Sequence, residues 1–296
     1  MEKAKVYFIP KATPASPLAL YRLLGPLPAE KLAIKLHSGE EGNQNFLKPE
    51  FWKPVIDEAG GTVVECNTAY PGERNSTPKH KALIRRRGWD TVFPFDLMDA
   101  EGPDMVLPVE GGLILKENLV GKNLANYDSL LVLSHFKGHP AGGYGGALKQ
   151  LSIGIASTAG KCLIHSAGYT DDQNIVWSHM AGDRFLECMA DAAKSVVDYF
   201  GGRAVYINVM KNLSVDCDCC DVAEDPCMAD IGVLASLDPI AVDQACMDLI
   251  YAADDPGREH FLERVHSRHG EHTLEAAAKL GFGTREYELI TLEKDE

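Results

Sequence analysis

The sequence predicts an α/β fold, a mostly parallel sheet flanked by helices in one or two lobes, and three observations carry that expectation. Short apolar runs such as Ser129–Leu133 (SLLVL) have the length and composition of buried strands. Longer segments keep apolar residues at helical spacing. The clearest is Met180–Phe200, where Phe185, Leu186, Met189, Ala193, Val196, Val197 and Phe200 share one face. The two kinds of segment alternate, as parallel strands joined by crossover helices do.

In chain order, Lys5–Ile9 reads as a short strand and Ser16–Leu24 as a helix. Lys31–Leu36 (KLAIKL) is a buried strand that ends at His37. Pro49–Glu58 is a helix stopped by Gly60-Gly61, and Thr62–Cys66 is the next strand. A turn-rich loop, Asn67–Asn75 (NTAYPGERN), leads to a helix near Pro78–Arg87. Strands are expected at Thr91–Phe95, Leu113–Lys116 and Ser129–Leu133, and Ala147–Ser157 (ALKQLSIGIAS) has helical character. Gly201-Gly202 closes the long helix before a strand at Ala204–Val209. Val242, Ala245, Cys246, Leu249 and Ile250 mark a later amphipathic helix, with Asp238-Pro239 in its cap and first-turn positions. No internal repeat or low-complexity linker interrupts the chain. Residues 1–296 are therefore read as one domain, with a seam near 103–125 if there are two lobes.

Open α/β sheets bind ligands beyond the carboxyl ends of their strands. Those ends here carry His37, Asn67, His135 and Asn208. The richest of the loops is SHFKGHPAGGYGGALK, Ser134–Lys149. His135 and His139 are its candidate catalytic residues, suited to proton transfer or metal binding. Lys137 and Lys149 supply positive charge. Gly142, Gly143, Gly145 and Gly146 let the backbone approach a ligand closely. The segment after them is helical, so its first amides are expected to face an anion such as a phosphate or carboxylate. A plain Gly-rich turn with hydrogen-bonded histidines is the structural alternative.

Four of the eight cysteines cluster in NLSVDCDCCDVAEDPC, as Cys217, Cys219, Cys220 and Cys227. Thiolates are soft ligands for zinc, nickel or iron, so Cys217, Cys219 and Cys220 are candidate metal ligands. The C-x-C-C spacing matches neither zinc-finger nor ferredoxin patterns. The alternative is a loop of buried, unreactive thiols. In HSGEEGN, Asn43 is a candidate for contact with substrate or cofactor, and a solvated turn is its alternative. Arg74 in NTAYPGERN is a candidate bidentate clamp for a carboxylate or phosphate, or else a structural arginine. His260, His266, His269 and His272 lie in a charged stretch and read as solvent-facing.

A formal net charge of −14 argues against a nucleic-acid partner, which would require a basic face. No apolar run approaches the roughly 18–20 residues that span a bilayer, so no membrane partner is expected. The N-terminus, MEKAKVYFIPKATPASP, lacks a signal-peptide layout, and a cytoplasmic location is expected. No G-x-G-x-x-G follows the first strand, and neither a Walker-type GK[ST] nor a G-x-S-x-G elbow is present.

Over nearly its whole length the chain resembles the domain-of-unknown-function family 362, often described as iron–sulphur-centre proteins. The matching blocks are Ala33–Asn43 (AIKLHSGEEGN), Asn67–Arg74 (NTAYPGER), Ser134–Lys149, the NVMKN…CDCC run of Asn208–Cys220, and Asp230–Ala245 (DIGVLASLDPIAVDQA). Many members carry a ferredoxin-type module, C-x2-C-x2-C-x3-C-P, soon after the Gly-Lys that here is Gly160-Lys161. This chain lacks that motif and has only Cys162 there. Electron transfer through such a module is therefore not expected.

The Ser134–His165 segment separately resembles the cofactor segment of lactate racemase-type nickel-pincer-nucleotide enzymes. In those enzymes a histidine, an Ala-Gly-aromatic-Gly-Gly turn, a lysine and a later histidine follow in order; here His139, Ala141-Gly142-Gly143-Tyr144-Gly145-Gly146, Lys149 and His165 follow in the same order. The resemblance implies a general base at His139, a cofactor-anchoring lysine at Lys149 and a nickel ligand at His165. Lys149 follows His139 by ten residues and His165 follows Lys149 by sixteen. That family's other base lies in a His-Arg motif, which this chain lacks. The expectation is a metal- or cofactor-dependent enzyme acting by redox or proton transfer on a small anionic substrate, with nickel, zinc or iron as the metal. The alternatives are a non-catalytic carrier of a metal or cofactor that serves a redox partner, and a scaffold whose cysteines are structural.

Overall fold

The apolar runs assemble into one eight-stranded sheet in the computed structural model, which describes residues 3–25, 27 and 30–292. The N-terminal elements are β1 (Ala4–Ile9), α1 (Ala15–Leu24), β2 (Leu32–Lys35), α2 (Pro49–Ala59), β3 (Thr62–Glu65), α3 (Thr77–Arg86), α4 (Trp89–Val92) and β4 (Phe95–Leu97). The middle holds β5 (Met105–Pro108), β6 (Glu117–Val120), β7 (Ser129–His135), β8 (Lys137–His139), β9 (Gly143–Gly145), α5 (Ala147–Leu151), α6 (Thr158–His165) and α7 (Asp183–Phe200). Then follow β10 (Ala204–Met210), β11 (Gly232–Ser236), α8 (Pro239–Ala252), α9 (Arg258–Ser267), α10 (His272–Leu280) and β12 (Tyr287–Thr291).

The sheet order is β12-β1-β11-β10-β7-β2-β3-β4, and only β11 runs against its neighbours. β7 and β10 are buried at every residue, as central parallel strands covered on both faces must be. Alternate residues feed two apolar cores. Leu130, Val132 and Tyr206 face α5, α7 and α8, while Leu131, Leu133 and Ile207 face α1 and α2. Asp238 caps α8 as expected, accepting hydrogen bonds from the amides of Ile240 and Ala241. Among the described residues no helix is long and apolar enough to cross a membrane.

Three local expectations are corrected. Thr91–Phe95 is not a strand: Trp89–Val92 makes one helical turn, with the Phe93 amide bonded to the Trp89 carbonyl, and β4 begins only at Phe95. Leu113–Lys116 is not a strand either. The amides of Leu113, Ile114 and Leu115 donate to the carboxylate of Asp191 in α7 at 2.7–2.8 Å, and the strands are β5 and β6 on either side. The helix expected over Ala147–Ser157 stops at Leu151, and a separate helix, α6, starts where Ser157 caps the Gly160 amide.

Asp191 is fully buried in the middle of an otherwise apolar helix face. Asp191→Ala strands three amides at once and is expected to cost roughly 3 kcal/mol, since each buried unsatisfied donor costs about 1–3 kcal/mol before relaxation. Urea unfolding measures this, and an unchanged midpoint would show that the 109–116 turn holds without it.

Candidate functional site

Loops from the carboxyl ends of β2, β3 and β8 meet α5, α6 and the cysteine loop around one partly open cavity of about 290 Å³. Its wall includes His37, Glu65, Tyr70, Arg74, His139, Lys149, Lys161, His165, Trp177, Cys219 and Cys220. The strand ends are thus where the ligand-sized space lies. Asn208 is an exception. It sits inside β10 and donates to Asp243 at 2.7 Å, away from the cavity wall.

One corner of the cavity joins the two motifs that the sequence keeps 78 residues or more apart. The side chains of His139, Cys217 and Cys219 place their ligand atoms within 4.8 Å of one another. This set can hold a divalent metal. Nε2 of His139 lies 3.8 Å from Sγ of Cys219, and Nζ of Lys149 lies 3.6 Å from Sγ of Cys217. Burial alone would raise the Cys217 thiol. The Cys219 hydrogen bond and the charges of Lys149 and Lys137 outweigh it and hold Cys217 well below its ordinary value. Cys219, hydrogen-bonded to Cys217 and Cys220, is held above. Of the two thiols, Cys217 is the one held toward its thiolate. Of the three, His139 and Cys219 line the cavity and Cys217 lies behind them; Cys220 and His165 line the cavity but stand outside the close group.

The two histidines of the loop have opposite hydrogen-bond roles. Nδ1 of His139 accepts the amides of Ala141 (3.2 Å) and Gly142 (2.8 Å), so the neutral ring carries its proton on Nε2, facing the sulphurs. Burial, then the charge of Lys149, push this imidazole down to about 4. A metal ligand usually donates from its second ring nitrogen. For Nε2 of His139 to bind a metal, its Nδ1 contacts must give way.

His135 faces an acceptor from each nitrogen, Asp218 from Nδ1 (2.9 Å) and the Lys211 carbonyl from Nε2 (2.5 Å). It does not line the cavity. The candidate catalytic role of His135 is therefore corrected: its ring is spent on holding the cysteine loop.

Lys137 is corrected in the same way. Its ammonium binds Asp218 and the His135 carbonyl, both at 2.9 Å, and stays off the cavity wall. Asn43 braces the cysteine loop, donating from Nδ2 to the carbonyls of Cys217 and Cys220, while its Oδ1 takes the amides of Asn45 and Phe46. No polar atom of its side chain is left for a cofactor. Arg74 does reach the cavity, but inside a buried network with Glu40 (3.2 Å), Glu65 (3.6 Å) and the Tyr70 hydroxyl (2.5 Å).

The glycines serve the chain's own packing. Gly143 takes φ +77°, and a Cβ there would meet Gly270 Cα at 2.8 Å. A Cβ on Gly146 would lie 2.4 Å from an Asp243 oxygen, and one on Gly145 would lie 3.1 Å from Lys149 Cδ. Gly142 contributes its amide to His139. None of the four lines the cavity. The expected anion at the start of α5 is internal: the carboxylate of Asp243 accepts the amides of Ala147 (2.7 Å) and Leu148 (3.0 Å).

Lys35, Lys161 and Trp177 are among the cavity residues that the sequence left unassigned. Lys35 and Lys161 are buried lysines on the wall, and Trp177 lies beside His165 with ring centroids 5.3 Å apart. The signal for Lys35 was a lysine inside an otherwise apolar strand. His165 stacks on Phe185 at 4.5 Å, and its buried Nδ1 has no hydrogen-bond partner among the described residues. Burial, then nearby His139 and Lys149, push it down to about 3, so the ring is neutral.

A family model described as Domain of unknown function (DUF362) matches residues 32–248. Among solved structures, the lactate racemase apoprotein from Thermoanaerobacterium thermosaccharolyticum is similar at 14% identity and a TM-score of 0.44, covering 69% of this chain and 50% of that one. A Thermotoga maritima protein from a structural-genomics consortium is similar at 13% identity and a TM-score of 0.41, covering 89% and 58%. The chain spans between half and three-fifths of the length of these two proteins. No curated protein matches.

Proposed function

The chain belongs to the DUF362 family, and we propose that this member is an enzyme acting on a small anionic organic molecule by proton transfer or redox chemistry, with a soft divalent metal at the Cys217–Cys219 corner. One observation supports the reading above all. His139, Lys149 and Cys219 line a cavity whose other walls carry Lys35, Arg74, Lys161 and His165, and the buried thiol of Cys217 stands directly behind them.

The donor set fits the metal. Sulphur donors suit zinc, nickel or iron, Cys217 is already held toward its thiolate, and the His139 imidazole can join them once its Nδ1 contacts give way. When bound there, such an ion supplies Lewis-acid or redox chemistry. The chain's own groups supply the rest. Lys149 stabilises the Cys217 thiolate, His139 holds a proton on Nε2 at the cavity edge, and neutral His165 offers a free ring nitrogen. Trp177 and Tyr70 add aromatic surface to the cavity wall. The resemblance of the His139–His165 order to nickel-pincer enzymes defines a nickel form of the same proposal, with Lys149 as the tether and His165 as a ligand. A non-catalytic carrier would use the same thiols but leave the cationic walls without a task.

Intact mass and bound metal, measured on protein purified without chelator, test the proposal. One metal per chain is expected, lost in the Cys217→Ser/Cys219→Ser double variant. Nickel with added mass on Lys149 would select the pincer form; zinc or iron without it would select the thiol site alone. A protein that holds no metal as purified and takes up none from zinc, nickel or ferrous salts would overturn the metal proposal.

A further inference from the structure

We propose that Lys35 and Lys161 form a dianion subsite on the cavity wall, built for a phosphate group or a pair of carboxylates on the substrate. The inference rests on reading this cavity as the site of a small anionic substrate, and it names the class of anion and the residues that hold it.

Four cationic side chains line the cavity, and two already have partners. Arg74 is paired with Glu40 and Glu65, and the Lys149 amine lies 3.6 Å from the Cys217 sulphur. Lys35 and Lys161 are only 2% and 6% exposed. Lys35 donates to the Leu36 carbonyl and to Oε1 of Gln150 at 2.9 Å. Lys161 donates to the Ala156 carbonyl at 2.5 Å. Neutral oxygens orient an ammonium without cancelling its charge. Among the described residues no carboxylate lies within ion-pair distance of either amine. Glu65, the carboxylate on the cavity wall, is committed to Arg74, His80 and Ser38.

Burying a charge without a counter-charge is costly, and nothing in the packing demands it. The other three residues of β2 are apolar and buried, so an apolar side chain would suit position 35 better. The surroundings are nevertheless shaped around the lysine. A Cβ on Gly154 would lie 2.7 Å from Lys35 Cε and 2.3 Å from the Gln150 carbonyl. Two buried amines on one wall, neither with a carboxylate partner, are matched by a ligand that brings two negative charges and holds both amines in their charged form. Lysine ammoniums bind phosphate as point charges, and two carboxylates on one small molecule present the same total. Ile153, Trp177 and Met180 on the remaining wall provide apolar surface for the organic body.

The test uses the full chain with its metal content measured in every sample. Inorganic phosphate, succinate and acetate are titrated at matched ionic strength, read by thermal shift and calorimetry. Phosphate or succinate is expected to bind saturably, at least tenfold tighter than acetate. Whichever of the two binds tighter identifies a phosphate ester or a dicarboxylate as the substrate class. Lys35→Met and Lys161→Met should each keep a cooperative melt and weaken that binding at least tenfold. The subsite is overturned if neither dianion binds, if acetate binds equally well, or if both variants bind the dianion as the wild type does. These outcomes are independent of the metal proposal, because metal loss with dianion binding intact overturns that proposal alone.

Discussion

Asp218→Ala is expected to cost about 3–5 kcal/mol of stability, the range for removing one partner of a buried ion pair, and to abolish metal binding at the neighbouring cysteines. Asp218 lies between Cys217 and Cys219 and is almost fully buried. Burial would raise its carboxyl, but His135 and Lys137 outweigh this and hold it well below the usual carboxylate range. Its oxygens accept from His135 and Lys137 at 2.9 Å. Removing the carboxylate leaves Lys137 buried with only the His135 carbonyl for company. Adding Lys137→Met removes that stranded charge, so the double variant should regain at least half of the loss. Urea unfolding of the two variants measures both effects. A single variant within about 1 kcal/mol of wild type would mean that the loop is held by Asn43 and not by this network.

The sheet was legible because its strands are short, apolar and separated by helical periods. The 113–116 segment was misread because its amides answer to Asp191, far away in the sequence on α7. A local apolar run carries no trace of such a partner. The candidate site was legible by residue type. His139, Lys149, Cys217 and Cys219 stood out as chemistry-bearing groups, and the fold brings them together. Direction was not legible. Asn43, His135 and Lys137 have side chains suited to a ligand, yet each is consumed by the cysteine loop. The buried pair Lys35 and Lys161 went unassigned for the opposite reason. KLAIKL reads as a buried strand without marking its second lysine, and the cost of that charge appears only once Gly154 and Gln150 are seen closing around it.

That cost leads to a pH-dependent expectation. Burial, opposed by Glu65 and Cys66 and reinforced by Lys161 and Arg74, pushes Lys35 down to about 7 from its ordinary 10.5. Its folded-state value lies below its unfolded value, so the protein pays for the charged form. Below about pH 7 the amine is protonated in both states and the full penalty applies, roughly 5 kcal/mol at 1.36 kcal/mol per pKa unit. Between about pH 7 and 10.5 the unfolded chain holds the proton and the folded one does not, so stability from this group rises with pH. Near 10.5 the penalty vanishes. Lys35→Met keeps the aliphatic stem and removes the charge. In the absence of any anion it is expected to be several kcal/mol more stable than wild type at pH 6, with the gap closing steadily toward pH 10. Groups that titrate alike in both proteins cancel in that difference, while Lys161, relieved of a neighbouring charge, adds to the gain in the variant. Paired urea melts at four or five pH values measure it. A variant that is destabilised at pH 6, or a gap that does not narrow with pH, would show that Lys35 is structurally satisfied. A stabilised variant that has also lost the dianion would identify position 35 as one where the chain gives up stability to keep a charge inside its cavity.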